Sequence, residues 1–334
     1  MTKQKAIHLF YISNYISFTN YLSIIIEKNI SIKDCYFYSP RLSTSELNIN
    51  TKLNLVKGLN FTYPKNKIER FFIFYLNKKN DSLLRKKIDN SKFYFYTPHL
   101  INYREKIIIA SKNCIKYFFI EEGIPSYRND FKINCSNTFT KIGVLSNYKN
   151  KLDSVFRNHE HSFDFSIKNE IIPLSFVNKF KKEIIHNIKN NDIVIAIDSF
   201  KTNLKFNNYI ISYIKLLNHL KSNDNHKIKL KFHPDYVYEP SYMKMFEEIN
   251  QSLGMDYEIL KNNVFVEEIA SLGVKINLYC IFSSLYIYLA QNNSKVFIFD
   301  DYLRENDEAY FDIYSINKKI IEKLGLDVNF IRLK

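Results

Sequence analysis

The stretch DIVIAIDSFKTNLKFNNYIISYIKLLNHLKSNDNHKIKLKF, residues 192–232, decides the fold class. It opens with the apolar run Asp192–Ile197, continues with a helical apolar period over Asn207–Lys221 and closes with a second apolar run, Lys227–Phe232. A strand, a helix and a strand in this order are typical of two parallel strands in a sheet covered by helices. The segment therefore predicts an α/β fold.

The same alternation recurs on both sides of this segment. Further strands are predicted at Ile7–Ser13, Lys92–Tyr96, Lys116–Ile120, Ile276–Phe282 and Lys295–Phe299. Helices are predicted at Tyr15–Lys28, His99–Lys112, Pro240–Leu253, Val264–Leu272 and Ser283–Gln291. The polar stretch Tyr148–Ser166 is interpreted as a linker or an excursion between the two domains. Two successive α/β domains, residues 1–155 and 156–334, suggest the GT-B arrangement of two Rossmann-like domains facing each other across a ligand-binding cleft.

Composition limits the class of protein. The length of 334 residues suits two domains, and 46% hydrophobic with 25% charged residues predicts a folded chain. Four cysteines (Cys35, Cys114, Cys135 and Cys280) lie far apart without metal-binding spacing, which indicates reduced thiols in a reducing compartment. No segment reaches the roughly 18 apolar residues that span a bilayer. We therefore expect a cytoplasmic protein.

The charge of the chain is strongly basic. Lys and Arg total 48 against 34 Asp and Glu, a formal net charge of +14. Such a surface attracts phosphates, whether on nucleotide substrates, nucleic acid or the acidic lipids of the inner membrane leaflet. The basic residues are scattered along the chain, which is more typical of a solvated surface than of a nucleic-acid-binding patch. Peripheral membrane contact is compatible with this charge.

The first motif that could carry chemistry is Glu121-Glu122-Gly123, directly after a predicted strand. Carboxylates at the carboxyl end of a parallel strand face the ligand crevice, and one of them could act as a general base. The glycine allows a tight turn or a close backbone approach to a ligand. The alternative interpretation is a plain acidic turn.

Two further motifs also follow predicted strands. His233 is an imidazole that could protonate a departing phosphate near neutral pH, and Pro234 ends its strand by removing a ladder donor. Ser283 and Ser284 stand before a predicted helix, where hydroxyls and free backbone N–H groups could hold a phosphate. A strand-end histidine and simple helix capping by serine are the alternatives.

Two acidic pairs lie in the second half. Glu267 and Glu268 open a short predicted helix, where one carboxylate could accept both hydroxyls of a ribose, or where both could form a solvated face. Asp300 and Asp301 could mimic a metal-binding pair, but their late position in the second domain disfavours this role.

Taken in order, Glu-Glu-Gly, His-Pro and a Glu followed by Ser-Ser resemble motifs shared by several bacterial sialyltransferase families. The resemblance is to the lipooligosaccharide and capsular type and extends from residue 7 to residue 300, without close similarity between the motifs. It implies an inverting enzyme of GT-B fold that transfers sialic acid from CMP-sialic acid to a hydroxyl of a surface glycan. It also implies that no metal and no further cofactor are needed.

The resemblance assigns a role to each motif. Glu121 would be the general base, and Glu122 would be a supporting partner or the base itself, with Gly123 shaping their turn. His233 would donate a proton to the departing CMP. The residues that bind the donor would be Pro234, Glu267, Glu268, Ser283 and Ser284. The first domain would then bind the glycan acceptor and the second the donor, and the last helix is a candidate to pack back on the first domain.

Three alternatives remain open at this point. The nearest is a related GT-B glycosyltransferase that uses another sugar nucleotide. A non-catalytic nucleic-acid-binding protein is suggested only by the charge of +14. A polysaccharide-assembly scaffold that kept the fold and lost activity is the third.

Overall fold

A computed structural model shows that the chain divides into two compact units, Met1–Lys182 and Glu183–Lys334. Each unit contains one parallel β-sheet. The structure describes residues 6–39, 53–57, 82, 84–98, 105, 108–109, 111–127, 152–157, 169–175, 187–198, 204–221, 228–233, 240–254, 256–261 and 263–333.

The first unit has a sheet of seven strands. They are β1 (Ile7–Tyr11), β2 (Cys35–Ser39), β3 (Asn54–Lys57), β4 (Phe93–Thr97), β5 (Cys114–Ile120), β6 (Leu152–Arg157) and β7 (Asn169–Ile171). Their order is β3-β2-β1-β4-β5-β6-β7, and every described pairing is parallel. The order reverses between β1 and β4, which makes this the topological switch point where Rossmann-like sheets bind ligands.

Helix α1 (Tyr15–Glu27) follows β1 and covers the sheet. It begins at Asn14, whose side chain accepts a hydrogen bond from the Ser17 amide in a capping box. Aromatic side chains join the helix to the sheet, since Phe18 packs edge-on against Phe37 at 5.8 Å between ring centroids. The buried hydroxyl of Tyr21 donates to the carbonyl of the last residue of β1 at 2.5 Å. The helix thus fixes the carboxyl end of β1.

The second unit repeats this architecture with six strands. They are β8 (Ile193–Ile197), β9 (Ile228–Phe232), β10 (Tyr257–Ile259), β11 (Asn277–Cys280), β12 (Lys295–Ile298) and β13 (Val328–Phe330). Its described helices are α2 (Phe206–Lys221), α3 (Pro240–Ser252), α4 (Val266–Ser271), α5 (Leu285–Gln291), α6 (Asp301–Asn306) and α7 (Tyr310–Leu324). The strand order is β10-β9-β8-β11-β12-β13, again with parallel pairings, so the switch point lies between β8 and β11.

The core of the second unit explains why residues 192–232 form these elements. All five residues of β8 are buried, as expected for a central strand of a parallel sheet covered on both faces. Helix α2 turns its apolar stripe to the sheet and buries Tyr209, Tyr213 and Leu216. Tyr213 packs edge-on against Phe246 and Phe299, each about 5 Å away between ring centroids.

Two sequence-based predictions need correction. Strand β6 lies inside the stretch Tyr148–Ser166 that was interpreted as a linker, and it pairs with β5. Because β6 and β7 extend the first sheet, the first unit continues to Lys182, beyond the predicted boundary at residue 155.

The last helix, α7, belongs to the second unit and contacts α6. The helix predicted at His99–Lys112 lies largely outside the described residues.

The described cysteines, Cys35, Cys114 and Cys280, are buried thiols that form no disulfide with one another. Cys135 lies outside the described residues. Burial raises the pKa of Cys35 to about 12 and that of Cys280 well above its usual value, so both are protonated at neutral pH. Within the described ranges, no helix is both long enough and apolar enough to cross a membrane.

A glycine ends α7, and its replacement gives a first stability prediction. Gly325 has a φ of 58°, and its amide donates to the Glu322 carbonyl at 3.2 Å. An added Cβ would meet nothing within 4 Å, so only backbone strain opposes it. We expect Gly325→Ala to lower the free energy of unfolding by about 1 kcal/mol. Gly325→Asn, which tolerates this conformation better, should lose less. Urea denaturation checks both variants, and equal losses would contradict the explanation.

Candidate functional site

The Glu-Glu-Gly motif lies directly after β5, at the carboxyl edge of the first sheet, as predicted. Gly123 has a φ of 106°, a conformation that other residues rarely adopt, and its carbonyl accepts the Ser126 amide at 2.9 Å. The chain then forms one 3₁₀ turn over Ile124–Tyr127. The glycine therefore provides the tight turn that presents both carboxylates at this edge.

Glu121 is fully buried. Its side chain has an exposure of 0%, and its carboxylate accepts a hydrogen bond from the Tyr127 hydroxyl. Its main-chain carbonyl accepts a hydrogen bond from the side-chain amide of Asn20 at 2.6 Å, which connects the turn to α1. A carboxylate enclosed in this way contributes to the structure of the turn, and a substrate cannot reach it without rearrangement.

Glu122 has a more accessible environment. Its side chain is half-buried, and Oε2 accepts the Ser13 hydroxyl at 2.5 Å and the Asn14 side-chain amide at 3.5 Å. Both donors lie in the connection from β1 to α1, beside the switch point of the first sheet. The Glu122 amide is fixed as well, because it donates to the Ser126 hydroxyl at 3.0 Å. The structure thus holds a reachable carboxylate where the fold binds ligands.

In the second unit, His233 and the Ser-Ser motif are both anchored to the end of β8. The His233 amide donates to the Ile197 carbonyl at 2.9 Å, and the His233 side chain is half-buried. The next residue, Asp198, accepts the amides of Ile281 and Phe282, each at 3.1 Å. The segments that carry the imidazole and the two serines therefore lie on either side of one strand end. Pro234 lies outside the described residues.

The two serines begin helix α5, but neither has strong capping geometry. Ser284 is the N-cap and its side chain makes no capping hydrogen bond. The Ser283 hydroxyl accepts the Leu285 amide at 3.4 Å, at the long limit for a hydrogen bond. Both side chains are half-buried. Helix capping alone therefore accounts poorly for two hydroxyls at this position.

Glu267 and Glu268 are buried in the first turn of α4, with exposures of 8% and 1%. They do not form the solvated face that was one interpretation of the sequence. Helix α4 packs against α5, so the acidic turn lies in the same part of the unit as the serines. Burial lowers the pKa of Lys231 to about 8, and the negative charge of Glu267 opposes this shift. The Lys231 ammonium donates to the Lys261 carbonyl at 3.2 Å.

Asp300 and Asp301 have structural partners. The Asp300 carboxylate accepts hydrogen bonds from Nε of Arg304 at 3.0 Å and from the Tyr310 hydroxyl at 3.1 Å. Burial raises the pKa of Asp300, and the charge of Arg304 opposes this shift. Asp301 accepts the Leu333 amide at 2.8 Å. Over the described ranges, no three His, Cys, Asp or Glu side chains come together as a metal site would require.

A separate cavity of about 400 Å³ lies in the first unit. It borders the sheet and the connection from α1 to β2, and its lining includes His8, Lys28, Tyr96, Asp153 and Glu170. Within it, Lys28 pairs with Glu170, and His8 shares a 2.9 Å hydrogen bond with Tyr96. None of the predicted site residues lines this cavity.

Several residues near these motifs were not predicted from the sequence. Ser13 and Asn14 contact Glu122, Asp198 holds the Ser-Ser turn, and Lys231 lies beside Glu267. A signal existed for Asp198, since it follows an apolar strand in the same way as Glu121 and His233 do. For Ser13 and Asn14 the sequence indicated only the start of a helix, which does not predict a contact with Glu122 in the turn after β5.

Comparison with known proteins agrees with this architecture. No family model matches the chain, and no curated protein does. Among solved structures, the chain is similar to the glycotransferase of kitacinnamycin, with a TM-score of 0.51 and 10% identity over 99% of this chain and 87% of that one. The chain has the GT-B fold.

Two other solved structures, the glycosyltransferase SnogD and MurG, are also similar. SnogD from Streptomyces nogalater has a TM-score of 0.49 and 9% identity over 90% of this chain and 85% of its own. MurG from Acinetobacter baumannii has a TM-score of 0.46 and 10% identity over 98% of this chain and 86% of its own. At such identities a structural likeness concerns the fold, and the residues above must support any reaction. The predicted fold class, α/β with two Rossmann-like units, is thus confirmed.

Proposed function

We propose that this protein is an inverting sialyltransferase that moves sialic acid from CMP-sialic acid to a hydroxyl of a bacterial surface glycan. One observation carries the proposal. The Glu-Glu-Gly, His-Pro and Ser-Ser motifs occur in the order found in bacterial sialyltransferases, and Glu121, His233 and Ser283 each come within three residues after a parallel strand of a GT-B chain. The likeness to the glycotransferase of kitacinnamycin supports sugar transfer in general.

The proposed reaction needs a base and an acid on opposite sides of the sugar. The acceptor oxygen forms a bond to the anomeric carbon while the bond from that carbon to the CMP phosphate oxygen breaks. Glu122 takes the proton of the acceptor hydroxyl, and His233 gives a proton to the departing phosphate. Attack opposite the leaving group inverts the anomeric centre.

We assign the base to Glu122 and not to Glu121, the first choice from the sequence. The support is burial, because Glu121 is enclosed and bonded to Tyr127, whereas Glu122 is partly open to solvent. Ser13 and Asn14 would orient the Glu122 carboxylate toward the acceptor.

The donor would be held by the second unit. The hydroxyls of Ser283 and Ser284, with the backbone around Pro234, would bind the phosphate of CMP and stabilise its charge in the transition state. The carboxylate of Glu267, with Glu268 behind it, would accept the hydroxyls of the ribose. The proposed mechanism uses no metal ion, because the proton from His233 and the hydroxyls of Ser283 and Ser284 would compensate the charge of the departing phosphate.

The acceptor would be a glycan or a lipid-linked glycan of the lipooligosaccharide, O-antigen or capsule type. We place the reaction in the cytoplasm, at the inner face of the membrane where such glycans are assembled. The formal net charge of +14 supports contact with acidic lipid headgroups there.

A donor screen tests the proposal directly. We expect acceptor-dependent release of CMP from CMP-sialic acid, unchanged by EDTA, and no release of nucleotide from UDP-sugars or GDP-sugars. Turnover with a UDP-sugar or GDP-sugar alone would indicate a different GT-B glycosyltransferase. Absence of all turnover, together with DNA or RNA binding that weakens steeply with salt, would favour a nucleic-acid-binding protein instead.

A further inference from the structure

The turn that carries Ser283 and Ser284 is tied to β8 by one buried carboxylate. Asp198 is only 3% exposed, and its Oδ2 accepts the amides of Ile281 and Phe282 at 3.1 Å each. The two amides belong to the residues immediately before the serines. A single oxygen atom therefore fixes the direction in which the chain enters the Ser-Ser turn.

The pairing of the strands explains why this carboxylate is needed. The described ladder between β8 and β11 ends with Ile195 opposite Tyr279. Ile281 and Phe282 lie beyond this pair and are buried, with exposures of 0% and 7%. Buried amides that have left a sheet need another acceptor, because leaving one unbonded costs roughly 1–3 kcal/mol. Asp198 supplies that acceptor.

Asp198 is itself held in place by helix α2. The Tyr209 hydroxyl donates to the Asp198 carbonyl, and the Asp198 amide donates to the Tyr213 hydroxyl oxygen at 3.3 Å. The same Tyr213 hydroxyl donates to the Ala196 carbonyl at 2.8 Å. Both tyrosines are buried. The backbone of Asp198 is thus held in place by two tyrosine side chains of α2.

We propose that Asp198 is a positioning residue that sets the Ser283 and Ser284 hydroxyls against the phosphate of the donor. The inference rests on the proposed function for its ligand, and on the hydrogen bonds of Asp198 for its geometry. Asp198 does not touch the donor in this role. It acts through the backbone of Ile281 and Phe282.

The test compares Asp198→Ala with Asp198→Asn and with Asp301→Asn. Asp301 is the matched control, because it is also a buried carboxylate of the second unit that accepts a main-chain amide, that of Leu333 at 2.8 Å. We expect Asp198→Ala to raise the Kd for CMP and the donor KM by about tenfold or more, with a smaller change in kcat. Asp198→Asn keeps an acceptor oxygen and should recover most, but not all, of the affinity. Asp301→Asn should lower the Tm without changing the Kd.

Two further measurements separate positioning from plain stabilisation. Hydrogen exchange at the Ile281 and Phe282 amides should accelerate in Asp198→Ala relative to Asp301→Asn. In a Ser283→Ala/Ser284→Ala background, Asp198→Ala should add little to the loss of CMP affinity, because its effect passes through the serines. Fully additive losses, or CMP affinity unchanged in Asp198→Ala, would overturn the proposal.

Failure of the inference can be told apart from failure of the proposed function. Wild-type protein that neither binds CMP nor releases it from CMP-sialic acid would refute the function and, with it, the donor role of Asp198. Wild-type protein that binds CMP with an affinity insensitive to Asp198→Ala would refute only the positioning role. If Asp198→Ala does not fold, Asp198→Asn decides by the same measurements, since its weaker acceptor should still raise the Kd measurably.

Discussion

Replacing Glu122 by Gln is expected to lower turnover by at least about a hundredfold, the lower end of what a general base contributes. The Glu122 carboxylate accepts hydrogen bonds from the Ser13 hydroxyl at 2.5 Å and from the side-chain amide of Asn14 at 3.5 Å. Gln has nearly the same shape, and its amide oxygen can keep accepting from these donors. The variant therefore loses the capacity to take a proton while the turn after β5 keeps its structure.

The neighbouring residue provides the control for this experiment. Glu121→Gln changes the same functional group one position earlier, where the side chain is fully buried and accepts the Tyr127 hydroxyl. We expect its turnover to stay close to that of the wild type, because the Gln oxygen can still accept from the tyrosine. Steady-state CMP release measures both variants. A larger loss in Glu121→Gln would move the base to Glu121, and normal turnover in both would exclude this motif from catalysis.

His233→Ala is expected to lower kcat by about a hundredfold or more, through loss of the proton donor to the departing phosphate. CMP affinity should change much less than kcat, because a proton donor of this kind acts mainly in the transition state.

His219 offers a matched histidine control in the same unit. It lies in the last turn of α2 and is exposed, whereas His233 follows β9 and is half-buried. His219→Ala should leave kcat unchanged. If His233→Ala retains full kcat, another group protonates the leaving phosphate.

Much of the fold could be predicted because its central strands are continuously apolar. β8 and the helix α2 that follows it have residue patterns that allow few other structures, and the structure contains both elements near the predicted bounds. Strand β6 was missed because its pattern is polar. It contains Asp153 and Arg157, and Asp153 pairs with Lys116 on β5. An ion pair between neighbouring strands can replace some of their apolar contacts. The strand then lacks the apolar pattern from which strands are predicted.

The candidate site could be predicted only in part. Glu121, His233 and Ser283 could be selected as candidates because chemistry-bearing residues after parallel strands lie at the carboxyl edge of a sheet. The difference between Glu121 and Glu122 could not be predicted, since adjacent identical residues differ only in the direction of their side chains. The hydrogen bonds of Ser13 and Asp198 connect positions more than eighty residues apart along the chain. A single sequence carries no direct signal for such pairs.

The shared strand order of the two sheets has a consequence for biosynthesis. In each unit the first strand to be synthesised, β1 or β8, becomes a central strand, and later strands add on both sides of it. Each sheet draws its described strands from one continuous half of the chain. The ribosome can therefore release a complete first sheet before β8 emerges, so the two halves need not compete for pairing partners during translation.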